Sequence, residues 1–161
     1  MRREPRPPAR AQQSYSHVTT SLPGAAVGCC ILRGMAIRTA LTLRLENTLG
    51  ALARVCQALA RENANIIGMS LEGTGVLLLV ADNPVHVAGL LRNRDYIVEE
   101  REVLYVTVSN GPGGVSAAAR LLSQAGVNIE YAFATAGSEQ EMAALVVVVE
   151  DAQRAAAAAG M

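Results

Sequence analysis

The chain has 161 residues, 51% of them hydrophobic and 17% charged, with no net charge at neutral pH. Residues 1–34 carry five arginines against one acid and the remainder nine against thirteen, so the folded part lacks the basic stripe of a nucleic-acid binder. All fourteen basic residues are arginine, which excludes Schiff-base, cofactor-linking and phosphate-loop lysine chemistry.

Cys29, Cys30 and Cys56 are too few and wrongly spaced for a disulfide framework or a metal knuckle, and they fit a reducing compartment. No run reaches the ~18–20 apolar residues that a membrane span needs. Residues 1–23 are rich in Arg, Pro, Gln and Ser without apolar period and are expected to be disordered. A short apolar run follows, broken by Gly28; it is too short and too far from the amino terminus to fit a signal peptide. Residues 1–34 therefore read as a flexible extension or an over-long gene start.

Residues 37–45 alternate as a half-buried strand, with Leu41, Leu43 and Leu45 on one side. Asn47-Thr48-Leu49-Gly50 makes a sharp turn, and Asn47 stands where a helix N-cap belongs. Leu52, Val55, Cys56 and Leu59 then follow helical spacing, so Cys56 reads as a small core residue. Asn63-Ala64-Asn65 stops that helix, since Asn tolerates the left-handed conformation. Residues 66–71 return as a strand, Glu72-Gly73-Thr74-Gly75 turns, and residues 76–81 are a continuous apolar strand. Asp82-Asn83-Pro84 caps a second helix over residues 85–92, where His86 reads as a surface residue, and residues 96–102 form a fourth strand.

The pattern returns 63 positions later, where Asn110 takes the place of Asn47. Residues 103–109 form a strand, and Asn110-Gly111-Pro112-Gly113-Gly114 turns into a helix over 115–124. Ala125-Gly126-Val127-Asn128 stops the helix, residues 129–136 and 143–150 are strands, and Asp151 opens a last helix. The chain ends where a fourth strand is due. One sheet edge of the second unit is thus left for a neighbour: the preceding strand of the first unit, a partner chain, or the amino-terminal extension. The fold class is α+β, two ferredoxin-like βαββαβ units with antiparallel sheets, the second without its last strand. The units span residues 36–102 and 103–161.

Two motifs carry a family likeness: Leu-x-Leu-x-Leu-x-Asn47-x-x-Gly50-x-Leu52 closing at Asn65-Ile66, and Asn110-x-Pro112-Gly113-x-Val115 closing at Asn128-Ile129. Together they resemble the ACT domain, a regulatory ligand-binding module, and specifically small bacterial proteins built of two such units in tandem. The likeness runs from Ala36 to the end. It departs from the family at Leu49, where proline is usual, and at the missing last strand. The resemblance implies a small amino acid bound at an interface between units. Its ligand set would be Asn47, Leu49, Gly50, Ala51, Leu52, Asn65 and Ile66 in the first unit. In the second it would be Asn110, Gly111, Pro112, Gly113, Gly114, Val115, Asn128 and Ile129.

The residues give a separate reason for such a site. A helix start offers unpaired N–H groups to a carboxylate, and glycine lets the ligand approach the backbone. The structural alternative stays open: Asn47 and Asn110 as caps, Asn65 and Asn128 as helix stops. The extra glycines favour the second turn over the first. Glu100 and Glu102 share a strand face opposite Glu99, a pattern expected of an edge kept from pairing. No catalytic triad, metal set or phosphate loop emerges, so no enzyme activity, metal or cofactor is expected. The expected protein is a cytoplasmic, homodimeric amino-acid sensor with allosteric output. The other reading is a regulatory subunit of an amino-acid biosynthetic enzyme, acting through sheet contacts. Neither nucleic acid nor membrane is an expected partner.

Overall fold

A computed structural model describes residues 32–136 and 140–160. The disorder expected of residues 1–23 and the apolar run as far as residue 31 lie outside the described residues.

The elements follow in the order β1 (Leu32–Arg44), α1 (Ala51–Arg61), β2 (Ile66–Leu71), β3 (Val76–Ala81), α2 (Pro84–Arg92), β4 (Val98–Ser109), α3 (Gly114–Gln124), β5 (Tyr131–Thr135), β6 (Met142–Val148) and α4 (Ala152–Ala158). They form one six-stranded antiparallel sheet in the order β2-β3-β1-β4-β6-β5. The expected α+β class and ferredoxin-like element order are both present.

Two long strands organise everything. The last half of β1 pairs with β3 on one side (Leu43 with Leu77) and with the first half of β4 on the other (Leu43 with Val98). The first half of β1 pairs with the last half of β4, Met35 opposite Val106 and Ile37 opposite Leu104. That half of β1 lies beside β4 where the second unit's own fourth strand is expected. The edge is thus covered by the first unit's own strand, beginning at Leu32, five residues before the alternation predicts. Residues 32–34 of the expected extension belong to it. The strands expected over 96–102 and 103–109 are likewise one strand, β4, so the boundary expected after Glu102 falls inside a continuous element.

The exchange is nearly symmetric. Thr39 pairs with Glu102, and these two positions are themselves 63 apart, the offset of the repeat. A pseudo-twofold axis therefore passes through that pair and swaps the units. Strand β6 departs from the offset, because the β5–β6 connection is longer than the Glu72–Gly75 turn.

Sheet alternation decides the layers. On the helix side, Leu41, Leu43, Leu77 and Leu79 pack against Val55, Leu59, Val87 and Leu91 of α1 and α2. Leu104, Val106, Leu145 and Val147 pack against Ala118, Leu122, Ala152 and Ala155 of α3 and α4, with Met35 and Ile37 joining this second core. The opposite face carries a third cluster, Ala40, Val80, Val103, Val146 and Val148 with Tyr105, Tyr131 and Phe133. That face is closed by the sheet itself. The Ser70 hydroxyl of β2 hydrogen-bonds the Tyr131 hydroxyl of β5, although these are the two outermost strands.

The acids of β4 lie on a stretch with one open side, as their pattern predicts: Glu99, Glu100 and Glu102 pair with β1 only, and β6 joins β4 from Leu104 onwards. Glu100 and Glu102 share the helix-side face. They stand between the two helix-side cores, where Arg92 of α2 pairs with Glu100 at 2.9 Å and Gln153 of α4 donates to Glu102 at 3.0 Å. Carboxylates are tolerated there because the gap between helix pairs stays open to solvent.

Candidate functional site

Both strand-to-helix turns enter their helices through a left-handed glycine. Gly50 (φ 80°) and Gly113 (φ 92°) are the N-caps of α1 and α3, and neither helix has a side-chain cap. The capping expected of Asn47 and Asn110 is therefore corrected. Each lies three residues before the cap, because the turn needs those residues to reverse the chain, closed by Ala51 N–H donating to the Thr48 carbonyl (3.2 Å). Side-chain caps occur instead at the second helix of each unit. Asn83 accepts from the His86 amide at 3.1 Å and Asp151 from the Arg154 amide at 2.9 Å.

The lack of a cap leaves donors free at α1. Ala51 N–H and Arg54 N–H are bonded within the turn, while Leu52 N–H and Ala53 N–H have no partner among the described residues. Leu52 and Ala53 both line a hollow of about 700 Å³ walled by the Glu46–Ala53 stretch, Leu45, Cys56, Leu71, Glu72, Gly73 and Gly75. The walls are largely apolar, and Glu46 and Glu72 are the two acidic residues among them. Gly75 (φ 85°) is required where it stands. Its carbonyl accepts from Leu45 N–H at 2.7 Å, and a Cβ there would collide with the Leu45 carbonyl oxygen. That contact ties the β2–β3 turn to the end of β1 and so forms the far wall.

Of the expected ligand set, Asn47, Leu49, Gly50, Ala51 and Leu52 line this hollow; Asn65 and Ile66 do not. Asn65 exchanges hydrogen bonds with Asp82, its amide to Oδ1 and its carbonyl from the Asp82 amide, which secures β2 beside β3. The helix stop comes two residues earlier, at Asn63 (φ 53°). Missing from the set were Leu45, Glu46, Thr48, Ala53 and Cys56, and the turn residues Leu71, Glu72, Gly73 and Gly75. The split-βαβ order contained the signal for the turn residues, since it makes the first and third strands neighbours and so sets the β2–β3 turn beside the first helix. Cys56, expected as a core residue, is half-buried and lines the hollow instead of joining the first core.

The second turn is built differently. Its hollow, about 380 Å³, is lined by Asn110 and Gly111 with Arg33, Ser109, Glu141 and Met142. Pro112, Gly113, Gly114 and Val115 lie outside it. Asn110 is fastened to the β5–β6 connection, its Nδ2 donating to the Gln140 carbonyl at 2.9 Å and its amide to the Glu141 carbonyl at 2.8 Å. Gly114 has a structural reason of its own, for a Cβ there would overlap the Ser109 carbonyl oxygen. Asn128 lines a separate hollow near α4 that does not include Ile129, and Gly126, two residues before it, takes the helix-stop conformation (φ 69°).

The structure sets the two turns apart. They follow the carboxyl ends of β1 and β4, which are antiparallel, so they lie at opposite ends of the central strand pair, separated by roughly 40 Å for 13 residues of strand. No small molecule touches both.

The chain matches the model of the ACT domain pair over residues 35–158 and belongs to that family. Among solved structures it is similar to protein BT0572 from Bacteroides thetaiotaomicron, at 24% identity and TM-score 0.69, covering 77% of this chain and 87% of that one. The ligand-free regulatory subunit of aspartate kinase from Thermus thermophilus shares the fold at 19% identity and TM-score 0.55, over 80% of this chain and 96% of that one. Aspartokinase III of E. coli, solved in complex with lysine and aspartate, does so at 22% identity and TM-score 0.50, over 78% of this chain and 32% of that one. No curated protein matches. The chain is thus an ACT pair resembling the regulatory domains of aspartokinases. Among the described residues no helix is long and apolar enough to cross a membrane.

Proposed function

We propose that this chain is a non-catalytic sensor that binds a free amino acid at the β1–α1 turn. One observation supports this most: Leu52 and Ala53, whose N–H groups have no partner among the described residues, line one largely apolar hollow together with Glu46 and Glu72. A zwitterion fits both ends. Its carboxylate takes the helix start, its ammonium the acids, and its side chain the surface of Leu45, Leu52, Cys56 and Leu71. Two acids and no basic side chain in the lining disfavour acidic amino acids and favour small neutral ones.

A helix start contributes about 0.3–2 kcal/mol to anion binding, whereas micromolar affinity takes about 8 kcal/mol. The hollow therefore needs a second wall. The chain's other turn is too far away to provide it. A second copy of the chain closes the site, and the fully exposed Leu49 at the rim belongs to that contact. The second turn, with Asn110 to Val115, is the weaker candidate for a further site.

The other reading is a regulatory subunit of an amino-acid biosynthetic enzyme; the likeness to a separate regulatory subunit of aspartate kinase favours it. Both readings place the protein in the cytoplasm and require neither cofactor nor metal. A thermal-shift screen of the twenty amino acids tests the sensor. Ligand at a hundred times its dissociation constant adds about 2.7 kcal/mol, a rise of several degrees for a chain of this size. If no amino acid moves the midpoint, the sensor reading fails, and a co-purified biosynthetic enzyme then supports the subunit reading.

A further inference from the structure

A second, smaller hollow lies on the helix side of the first unit, behind the α1 turn. Three guanidinium groups line it: Arg54 and Arg61 of α1, and Arg94 from the connection between α2 and β4. Gln57, Ala58 and Tyr96 complete the lining, and no carboxylate is among them. Arg54 and Arg61 are two helical turns apart on one face, and Ala58, small and buried between them, forms the floor. Tyr96 packs its ring against the first core and so is held in place.

This grouping runs against the rest of the chain. From residue 35 on, acids outnumber arginines thirteen to nine, yet three of the nine meet at one hollow. None of the three has a carboxylate within ion-pair distance among the described residues, whereas Arg92 and Arg101 do. Their existing bonds use little of their capacity. Arg54 donates to the Leu49 carbonyl and the Thr48 hydroxyl at 3.5 and 3.4 Å, and Arg94 to the Leu90 carbonyl at 3.2 Å. The Arg61 side chain makes no hydrogen bond among the described residues. A guanidinium has five donors in a fixed fork that matches phosphate oxygens.

We propose that this hollow binds a multivalent phosphate, a pyrophosphate or a small organic phosphate, at a site separate from the amino-acid hollow. Its volume of about 270 Å³ suits an anion of that size. A single carboxylate could not satisfy three guanidinium groups, while a pyrophosphate can meet all three at once. The Arg54 side chain also braces the Thr48–Leu49 turn of the amino-acid hollow, so the two sites share one side chain.

Isothermal titration of the full chain with sodium pyrophosphate, against sodium chloride at equal ionic strength, tests the site. One saturable event is expected. Arg61→Gln and, independently, Arg94→Gln should each weaken it about tenfold, with unfolding midpoints confirming that both variants fold. Arg120→Gln, on the exposed face of α3, should leave it unchanged. Sedimentation with phosphatidylcholine vesicles containing phosphatidic acid distinguishes the source: a chain that binds pyrophosphate but stays in solution uses a soluble phosphate compound, and Arg61-dependent sedimentation assigns the same site to a lipid headgroup. Pyrophosphate heats equal to those of chloride, or binding that Arg61→Gln and Arg94→Gln both leave intact, would overturn the proposal.

Discussion

Ser70 and Tyr131 share a hydrogen bond between the two outermost strands of a six-stranded sheet. In a flat sheet, five strand spacings would keep them roughly 24 Å apart. The sheet is therefore coiled until its edges meet, and the coil encloses the third apolar cluster. The pseudo-twofold relation extends to this contact. Its mate is Gly68 against Phe133, each 63 positions from its counterpart, Tyr131 and Ser70 respectively.

The closed coil leaves little room at Gly68, where a Cβ would sit 3.1 Å from Thr135 Cγ2 and 3.2 Å from the Phe133 ring. Gly68→Val should lower unfolding free energy by about 1–3 kcal/mol through overpacking. Tyr131→Phe, which removes one hydroxyl, should cost about 0.5–1.5 kcal/mol. Urea denaturation measures both, and a neutral Gly68→Val would mean that the edges are not held together.

Because Ile37 packs in the second core, a change in the first repeat should be felt in the second. Ile37→Asn is expected to cost about 1–3 kcal/mol by placing an amide among apolar side chains. Hydrogen exchange locates the effect. Protection should fall at Leu104, Val106 and Leu145, and loss confined to α1 and α2 would refute the shared-strand arrangement.

These two predictions separate what the sequence shows from what it hides. Element order, helix faces and the Asn83 and Asp151 caps are local, set by periodicity and short-range hydrogen bonds, and they were legible. Pairing of Met35 with Val106 spans some seventy residues, and no local pattern encodes it. The same holds for the continuity of β4, whose stretch with the three acids pairs with β1 alone while its continuation from Leu104 pairs with β6 as well. At the candidate site, the near wall was visible in the Asn47–Leu52 motif. The far wall, Leu71 to Gly75, depended on strand pairing, and the uncapped helix start depended on Gly50 rather than Asn47 taking the cap position.

The two adjacent glycines of the second turn should respond differently to alanine. Gly113→Ala meets open space and bears only the left-handed strain, about 1–2 kcal/mol. Gly114→Ala must displace the Ser109 carbonyl and should cost more, about 3 kcal/mol or above. Thermal unfolding ranks them, and the reverse order would contradict the turn geometry.

Amino-acid binding should depend on the acids of the first hollow. Glu72→Gln and Glu46→Gln each remove a charged acceptor for the ammonium group, and the stronger of the two effects should weaken binding about tenfold, as loss of a charge-assisted hydrogen bond does. Calorimetric titration of the variants with whichever amino acid stabilises the parent protein checks this. Equal affinity in both variants would place the ammonium elsewhere.

The central claim is a free amino acid held at the start of α1, and the most direct measurement is an amide NMR titration of isotopically labelled protein with each of the twenty amino acids. At least one should shift the Leu52 and Ala53 N–H resonances downfield, with accompanying changes from Glu72 to Gly75. If none of the twenty perturbs those amides, or if the perturbed residues lie away from the β1–α1 turn, the account is contradicted.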